Sequence, residues 1–307
     1  MEKGVESSIK VNVGIIGFGE VGQIFAMGLL KNNPNVKVYV YDILLEKKQT
    51  EIEDKIFNIG AEPVYHIDKL SQKCEIVLSL VNSSASINVA KEFSKELDSQ
   101  AIFIDFTTST PQDKKISEKL VQDKNGLYVD AAIMGTVATE KYKVPLLLSG
   151  SHASETEQHL TKLGFNCQIV ELPNGASSSI KLLRSIFMKG LEALILETMM
   201  TAKTYGVNKE VLDSISNTLN NNDFTTFSNA LITTHMIHKN RRMKEVSDSL
   251  KLITDANLQP LVTEGVLSFF SNSVNKQIDS EIVQTNDIEK ILEVYSNKNE
   301  VKSGNLI

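Results

Sequence analysis

Three closely spaced glycines near the start of the chain constrain its fold more than any other feature. An apolar run, Val11 to Ile16, leads into Gly17-Phe18-Gly19-Glu20-Val21-Gly22. Apolar residues then return with helical spacing, at Ile24, Phe25, Met27, Leu29 and Leu30. The pattern predicts a buried strand that enters a helix through a tight turn.

Glycines at these positions suit a turn that holds the pyrophosphate of a dinucleotide. Gly17 would make the tight turn, Gly19 would let the backbone approach a phosphate, and Gly22 would let the helix pack closely on the strand. The free N–H groups and the positive dipole end of the helix would then face the phosphates. The predicted cofactor-binding residues of this turn are Gly17, Phe18, Gly19, Glu20, Val21 and Gly22.

An acidic residue after the second predicted strand completes the pattern. Val36 to Tyr41 alternates like a strand and ends at Asp42, 20 residues after Gly22. A carboxylate there would accept hydrogen bonds from the ribose hydroxyls of NAD, although an Asp that merely ends a strand is the alternative. The next residues, Ile43 and Leu44, offer no Arg for the 2′-phosphate of NADP. The sequence therefore favours NAD, with NADP the less favoured cofactor.

Composition narrows the class of protein. Hydrophobic residues make up 41% of the 307 residues and charged residues 23%, as in ordinary globular proteins. The net charge of -6 disfavours nucleic acid as a partner. Met1 to Lys10 has no apolar core, and no later stretch is long enough to predict a membrane span, so we expect a cytoplasmic protein. Cys74 and Cys167 lack partners at ligand spacing, and no metal site is predicted.

Strands and helices alternate through the first half of the chain. This alternation predicts an α/β fold, an N-terminal Rossmann domain with a doubly wound parallel sheet. Ligands bind at the carboxyl ends of such strands. The predicted strand ends carry Gly17 to Gly22, Asp42, Val81 to Ser84, Thr107 to Ser109, and Met134 to Thr136.

The composition changes after residue 175. Of the 16 glycines, 12 lie at or before this position, as do 5 of the 6 prolines. Residues 1–10 are predicted to be a flexible tail, 11–174 the dinucleotide-binding domain, and 175–307 an all-α domain for substrate binding and dimerisation. Its predicted helices are 178–205, 209–219, 226–237, 241–256, 259–274 and 287–295.

The first of these helices is unusually long and joins the two predicted domains. About 28 residues with an apolar stripe are hard to cover within one small domain, so the helix predicts a homodimer. It also carries Lys181 near its start. An ammonium is unfavourable at the positive end of a helix dipole, and proton donation to a carbonyl oxygen would explain its presence. A solvent-exposed Lys is the alternative.

Four segments follow the order of motifs in a known family. The glycine turn is the first, and Asp105 to Pro111 matches D-x-S-T-x-x-P. Asp130 to Thr136 stands where D-A-P-V-S-G-G is usual, and Gly175 to Ser185 follows G-x-G-x-x-x-K-x-x-N-N. Over nearly its whole length the chain resembles the β-hydroxyacid dehydrogenases, which include the 6-phosphogluconate, 3-hydroxyisobutyrate and tartronate semialdehyde enzymes.

The resemblance implies an NAD(P)-dependent oxidoreductase that acts on a CH–OH group of a small acidic substrate. It assigns general acid–base catalysis to Lys181, with Ser185 in place of the second Asn of the motif. Three positions depart from the family, since Met134 replaces a Ser, Thr136 a Gly, and Ser185 an Asn. The implied cofactor contacts are Val81, Asn82, Thr107 and Thr108, and the implied substrate contacts are Ser109, Met134, Gly135, Thr136, Arg184, Arg241 and Arg242.

A subgroup with a C-terminal domain of unknown function is similar in two further segments. Its patterns R-S-x-x-x-K-G and H-x-x-R-R-x-x-E match Arg184 to Gly190 and His238 to Glu245. The pair Arg241 and Arg242 would clamp a carboxylate or phosphate, from the same or the partner subunit. A basic turn at the start of a solvated helix is the alternative.

Three functions remain open from the sequence. The first is a dehydrogenase for a small hydroxy acid and its keto or semialdehyde partner. The second is an imine reductase on the same fold, because Met134 would make the pocket more apolar. The third is a dinucleotide sensor without catalysis, suggested by the altered pocket residues, although Lys181 argues against it.

Overall fold

The computed structural model describes residues 11–97, 101–276 and 285–296. The chain forms two compact units, one up to Ser185 and one from Ile186 onward. The division between the units falls inside the long helix, after Ser185, whereas the sequence predicts a domain boundary after residue 174. That domain boundary stays a prediction, and the predicted tail at residues 1–10 lies outside the described residues.

A single sheet of eight strands forms the centre of the first unit within the described residues. Its strand order is β3-β2-β1-β4-β5-β6-β7-β8, which is doubly wound as the sequence predicts. The strands are β1 Val11–Ile16, β2 Val36–Tyr41, β3 Glu62–Pro63, β4 Ile76–Ser79, β5 Ile102–Asp105, β6 Leu127–Ile133, β7 Pro145–Ser149 and β8 Asn166–Val170.

One strand pair departs from the predicted parallel sheet. β7 runs antiparallel to β6, whereas the other neighbouring pairs are parallel. The connection between Ile133 and Pro145 explains the difference. A parallel return needs a crossover of about a dozen residues or more, usually with a full helix, and this link holds only short helical turns.

Helices cover both faces of the sheet. They are α1 Glu20–Asn32, α2 Ile43–Glu46, α3 Thr50–Asn58, α4 Asp68–Lys73, α5 Ser86–Phe93, α6 Pro111–Gln122, α7 Val137–Glu140 and α8 Ala153–Lys162. Two short helices, α2 and α3, follow β2 in place of one longer helix. Lys48 lies between them with a φ of 54°, a left-handed conformation that ends a helix.

Adjacent residues on the central strands bury into two separate cores. Ile15 and Ile104 belong to one apolar cluster, whereas their neighbours Ile16 and Phe103 belong to the other. Side chains alternate between the faces of a strand, so the two clusters lie on opposite sides of the sheet. Burial on both faces explains why these strands are continuously apolar in sequence.

The register aligns the strand ends that carry the candidate site. Ile16 pairs with Tyr41 on one side and with Ser79 on the other, Ser79 pairs with Asp105, and Asp105 pairs with Asp130. Neighbouring strands are about 4.8 Å apart. The glycine turn after Ile16, Asp105 at the end of β5 and Asp130 within β6 therefore lie along one row across the sheet.

The second unit is helical in its described residues, as the sequence predicts. Its helices are the later part of α9 Ala176–Thr204, then α10 Asn208–Asn220, α11 Phe224–Asp255, α12 Leu261–Asn275 and α13 Ile288–Ser296. No helix in the described ranges is both long enough and apolar enough to cross a lipid bilayer.

The prediction of two helices over 226–237 and 241–256 is wrong, because α11 runs through both. The intervening His238-Lys239-Asn240 contains neither Gly nor Pro, so nothing local ends the helix. Arg241 and Arg242 consequently lie inside a helix, and the alternative of a basic turn at a helix start is wrong as well.

Candidate cofactor and catalytic site

The three glycines of the turn are required for three different reasons. Gly17 has a φ of 94°, and an added Cβ would lie 3.0 Å from the Leu80 carbonyl oxygen. A Cβ on Gly22 would lie 2.1 Å from the Gly17 carbonyl oxygen. A Cβ on Gly19 would meet nothing within 4 Å. The first two glycines therefore shape the protein, whereas Gly19 leaves open space in front of α1.

The open space suits an anionic ligand. Gly19 is exposed and caps the N-terminus of α1, where the first backbone N–H groups have no helical partner. Such a terminus attracts phosphate through its amides and its dipole. The turn therefore fits the pyrophosphate of a dinucleotide, whose nicotinamide would supply or accept the hydride.

A cavity of ≈ 590 Å³ adjoins the turn. Its volume lies in the usual range for small-molecule sites. The predicted contacts that line it are Gly17, Gly19, Asp42, Val81 and Asn82. Two acids that the sequence analysis did not assign, Glu46 and Glu92, line it too.

The carboxylate of Asp42 ties the end of β2 to the turn. Its Oδ2 accepts a hydrogen bond from the Phe18 N–H at 2.7 Å, and its Oδ1 accepts one from the Leu44 N–H at 3.0 Å. Each oxygen keeps a lone pair for a further donor. Asp42 therefore caps α2 and can still accept from a ribose hydroxyl. Phe18 is buried, whereas Glu20 is exposed in the first turn of α1.

The residues after β5 divide between the interior and the surface. Thr107 and Ser109 are buried, and their hydroxyl oxygens lie 3.1 Å apart. The Thr107 hydroxyl also donates to Ser86 Oγ at 3.1 Å. Thr108, between them, is exposed. The loop therefore presents Thr108 to solvent, while Thr107 and Ser109 face inward.

A lysine that the sequence analysis did not assign lies beneath this edge of the sheet. Lys114 of α6 is fully buried, and its Nζ donates to the Asp105 carbonyl oxygen at 2.8 Å. The same Nζ lies 3.1 Å from Asp105 Oδ1 and 3.2 Å from Asp130 Oδ1. One buried cation thus joins the carboxylate at the end of β5 to the carboxylate beside it on β6.

Asp105 is held as a carboxylate by its surroundings. Its Oδ2 accepts from the Tyr128 hydroxyl at 2.8 Å and from the Ser86 hydroxyl at 3.0 Å, and its Oδ1 accepts from the Thr107 N–H at 2.9 Å. Burial opposes ionisation, but Lys114 and these hydrogen bonds outweigh it, so the pKa of Asp105 lies below its usual value.

The Asp130 side chain, on β6, caps the N-terminus of the long helix α9. Its Oδ2 accepts from the backbone N–H groups of Gly175 at 3.1 Å and Ser178 at 3.0 Å, and its Oδ1 accepts from the Ser178 hydroxyl at 2.6 Å. Ser149 Oγ accepts from the Ser177 N–H at 3.0 Å. Side chains of β6 and β7 therefore fix the first turn of α9.

Lys181 lies one turn further along α9 and is partly buried. Within the described residues its Nζ makes no hydrogen bond and no ion pair. Burial and, second, the positive charge of Lys114 lower the pKa of Lys181 below that of an ordinary lysine. An amine with these properties suits proton transfer better than structural pairing.

The other predicted substrate residues of the first unit lie after β6 and on α9. Met134 follows β6, is partly buried, and donates its N–H to the Pro145 carbonyl oxygen at 2.8 Å. Gly135 and Thr136 are exposed, and the Thr136 N–H donates to Glu140 at 3.1 Å. Arg184 and Ser185 are exposed on α9.

The two predicted arginines belong to the second unit. Arg241 is exposed and forms an ion pair with Glu245, one turn along α11. Arg242 is partly buried, and its Nη2 donates to Thr234 Oγ1 at 2.8 Å. The two guanidinium groups therefore have different partners within the helical unit, and their role as a clamp stays a prediction.

A sequence signal for Lys114 existed. Asp105 ends the apolar strand A-I-F-I-D, and Asp130 interrupts the apolar strand L-Y-V-D-A-A-I. Two acids on neighbouring buried strands need a compensating cation. Lys114 follows Pro111 in the first turn of the helix that leaves β5, which makes it the natural candidate.

Comparison with known proteins gives two family matches. The NAD-binding domain of 6-phosphogluconate dehydrogenase matches residues 12–170, and a domain of unknown function matches residues 202–272. An uncharacterized 28.5 kDa protein from the 7S RNA 5′ region of Methanothermus fervidus is 27% identical over 263 residues, which cover 85% of this chain and 98% of the relative.

Solved structures agree with this assignment. A conserved protein of unknown function, described as structurally similar to 3-hydroxyacid dehydrogenases, is 27% identical with a TM-score of 0.60, covering 86% of this chain and 96% of its own. The Myxococcus stipitatus imine reductase with NADP+ has a TM-score of 0.68 at 16% identity, covering 92% and 99%. Its V8 variant with NAD+ has a TM-score of 0.73 at 15%, covering 92% and 100%. At such identities the likeness to the imine reductase shows the fold alone.

Proposed function

The chain belongs to the family defined by the NAD-binding domain of 6-phosphogluconate dehydrogenase, and from this premise we propose that it is a nicotinamide-dependent oxidoreductase. The hydride passes between C4 of the nicotinamide and the carbon of a small hydroxy acid or its keto or semialdehyde partner. In reduction, the Lys181 ammonium donates a proton to the carbonyl oxygen, and in oxidation the neutral amine takes it back.

The observation that carries this proposal is the environment of the Lys181 amine. The amine is partly buried, has no ion-pair partner within the described residues, and has a lowered pKa. The same unit contains the glycine turn, and Asp130, which caps the first turn of α9, is in register through Asp105 and Ser79 with Ile16, the residue before that turn. A lysine kept only for solubility would be exposed or paired.

The decisive experiment replaces Lys181 by Met, which keeps most of the volume and removes the amine. General acid–base catalysis contributes about 10²–10⁴-fold, so turnover should fall by that factor while NADH binding persists. Lys203→Met is the matched control, because Lys203 is exposed near the other end of the same helix and outside the proposed dimer face. Full turnover of the Lys181 variant, with a substrate that the wild type reduces, would refute the assigned role.

We propose NAD as the preferred cofactor. The cavity beside the turn is lined by Asp42, Glu46 and Glu92, and the described residues lining it include neither Lys nor Arg. A 2′-phosphate placed among carboxylates would be repelled. Phe18, Glu20, Val21, Thr107 and Thr108 are proposed to complete the binding site with the glycines, Val81 and Asn82.

The substrate contacts are proposals of the same kind. Met134, Gly135, Thr136 and Ser109 would surround the reacting carbon, with Ser185 and Arg184 one turn beyond Lys181. Arg241 and Arg242 would anchor an acidic group, from the same or the partner subunit. Arg242→Gln should then raise KM for an acidic substrate more than it lowers kcat.

Imine reduction is the second candidate. The specific observation in its favour is Met134, an apolar and partly buried side chain where the family usually has Ser. Paired substrates that differ only in C=O or C=N, supplied with the same NADH, would separate the two reactions. Binding of NADH without turnover of either class would favour a dinucleotide sensor instead.

We propose a homodimer built on α9. Residues 183–190 are exposed without interruption, which is more than two helical turns, and Ile186 and Leu183 are 71% and 65% exposed. A second copy presents the same face and can cover it in an isologous contact. Ile186→Glu should shift the sedimentation profile towards monomer, and a wild-type monomer at micromolar concentration would contradict the proposal.

A further inference from the structure

The described residues contain one fully buried lysine, Lys114, and the proposed reaction has not used it. Its Nζ contacts both Asp105 and Asp130, so two carboxylates share a single cation. A buried charge is costly unless it is paired and hydrogen-bonded, and here each partner is. A surface lysine would hold α6 on the sheet as well, so this arrangement calls for a further reason.

A continuous set of contacts leads from Lys114 to Lys181. Lys114 orients Asp130, and Asp130 accepts hydrogen bonds from the Gly175 and Ser178 backbone N–H groups. Ser178 precedes Lys181 by three residues, which is about 4.5 Å along the axis of α9. Any displacement of Asp130 is therefore passed to the turn that carries the amine.

Charge forms a second link between the two lysines. The carboxylates of Asp105 and Asp130 contact Lys114, and Arg184 lies three residues after Lys181 on its own helix. Both aspartates are compensated by the Lys114 ammonium and by hydrogen-bond donors. Among the charges, Lys114 acts on the pKa of Lys181, lowering it after the larger effect of burial.

We infer that Lys114 is a positioning residue for the proposed reaction: it holds the carboxylate that fixes the first turn of α9, and its positive charge disfavours a second ammonium at Lys181. This inference rests on the proposed role of Lys181. Lys114 itself touches neither cofactor nor substrate, since its side chain is fully buried against Asp105 of β5 and Asp130 of β6. It makes the amine available as a base without contacting the reacting atoms.

The test measures the protonation of Lys181 directly. Brief competitive acetylation with isotopically labelled acetic anhydride at a series of pH values, followed by peptide mass spectrometry, gives a pKa for each reactive lysine. The variants are Lys114→Met, which removes the charge, and Lys114→Arg, which keeps it. Lys115→Met is the matched control, because Lys115 is the next residue of α6 and is exposed.

The expected result is a higher pKa for Lys181 in Lys114→Met than in the wild type, and no such rise in Lys114→Arg or in the control. In turnover, the limb of the pH profile that reports Lys181 should move upward by the same amount. A Lys181 pKa that is unchanged in a natively folded Lys114→Met variant would overturn the inference.

Lys114→Met leaves two buried carboxylates without a cation, which destabilises the fold, so a second variant is needed. Lys114→Met combined with Asp105→Asn removes one charge of each sign and leaves Asp130 with its four donors. The same rise in pKa is expected, and its absence overturns the inference. Acetylation needs no substrate, so it tests this inference independently of turnover. If the Lys181 pKa responds to Lys114 but the protein shows no turnover, only the proposed function is refuted.

Discussion

The two glycines at the start of α1 offer a sharp test of the cofactor site, because the structure assigns them opposite consequences. In Gly19→Ala the new Cβ meets nothing within 4 Å, and the φ of -68° suits alanine. Glycine at this cap position is preferred over alanine, but alanine loses less chain entropy on folding. These terms nearly cancel, so the free energy of unfolding should change by less than about 1 kcal/mol.

NADH binding should respond strongly to the same substitution. The methyl group occupies the open space beside the first amides of α1, where the pyrophosphate is proposed to lie. A hydrogen bond to a charged group contributes about 1.5–3 kcal/mol, so losing one weakens binding by about 10–100-fold. Titration of NADH fluorescence measures this loss, and urea unfolding measures stability on the same preparation.

Gly22→Ala is the contrasting variant. Its Cβ would lie 2.1 Å from the Gly17 carbonyl oxygen, far inside contact distance, and that atom belongs to the backbone. The turn must move, at a cost of about 1–3 kcal/mol typical of overpacking. Here stability and NADH binding should fall together. The reasoning is refuted if Gly19→Ala binds NADH as well as the wild type, or if it loses stability as Gly22→Ala does.

Three further predictions follow from the charges. Glu46→Gln and Glu92→Gln should each improve NADPH binding and leave NADH binding unchanged, which titration with both cofactors checks. As pH rises through the pKa of Lys181, the steady-state rate of oxidation should rise and the rate of reduction should fall. Both transitions should occur at a lower pH than an ordinary lysine would give, because the pKa of Lys181 is lowered. Glu197 accepts from the Val262 N–H at 2.8 Å and the Thr263 N–H at 2.9 Å. Burial opposes its ionisation but these bonds and the Thr263 hydroxyl lower its pKa, so its contribution is present above about pH 4.3 and is lost as pH falls through the folded pKa. Glu197→Gln should cost about 1–3 kcal/mol in urea unfolding at neutral pH and should remove that acid dependence.

The sequence predicts the part of the site that is local. The turn from Gly17 to Gly22 and the acid Asp42 lie within two strands and one helix, and their requirements can be read from glycine positions and apolar spacing. Gly17 adopts the positive φ that a tight turn needs. The predicted motif and the observed geometry agree there because little else in the chain acts on those residues.

The remaining features depend on residues far apart in sequence. Asp130 accepts a hydrogen bond from Ser178, which lies 48 residues later in the chain. Lys114 contacts both Asp105 and Asp130 because the register of the sheet places these two carboxylates side by side. The reversal of β7 depends on the short link after Ile133, which a count of alternating elements does not reveal. The predicted break at His238-Lys239-Asn240 is absent from α11, because these polar residues include neither Gly nor Pro and are too weak a signal to end a helix.

The charges also bear on the choice between a carbonyl and an imine substrate. Addition of hydride to a carbonyl carbon places negative charge on oxygen, which the Lys181 ammonium can stabilise and protonate. An imine is reduced most readily as its protonated cation, and a cation is disfavoured beside Lys181 and Lys114. Met134 supplies the apolar surface that favours an imine, but it adds no negative charge to stabilise the cation. The carbonyl reaction uses the observed charges, whereas the imine reaction works against them, so we place the carbonyl reaction first.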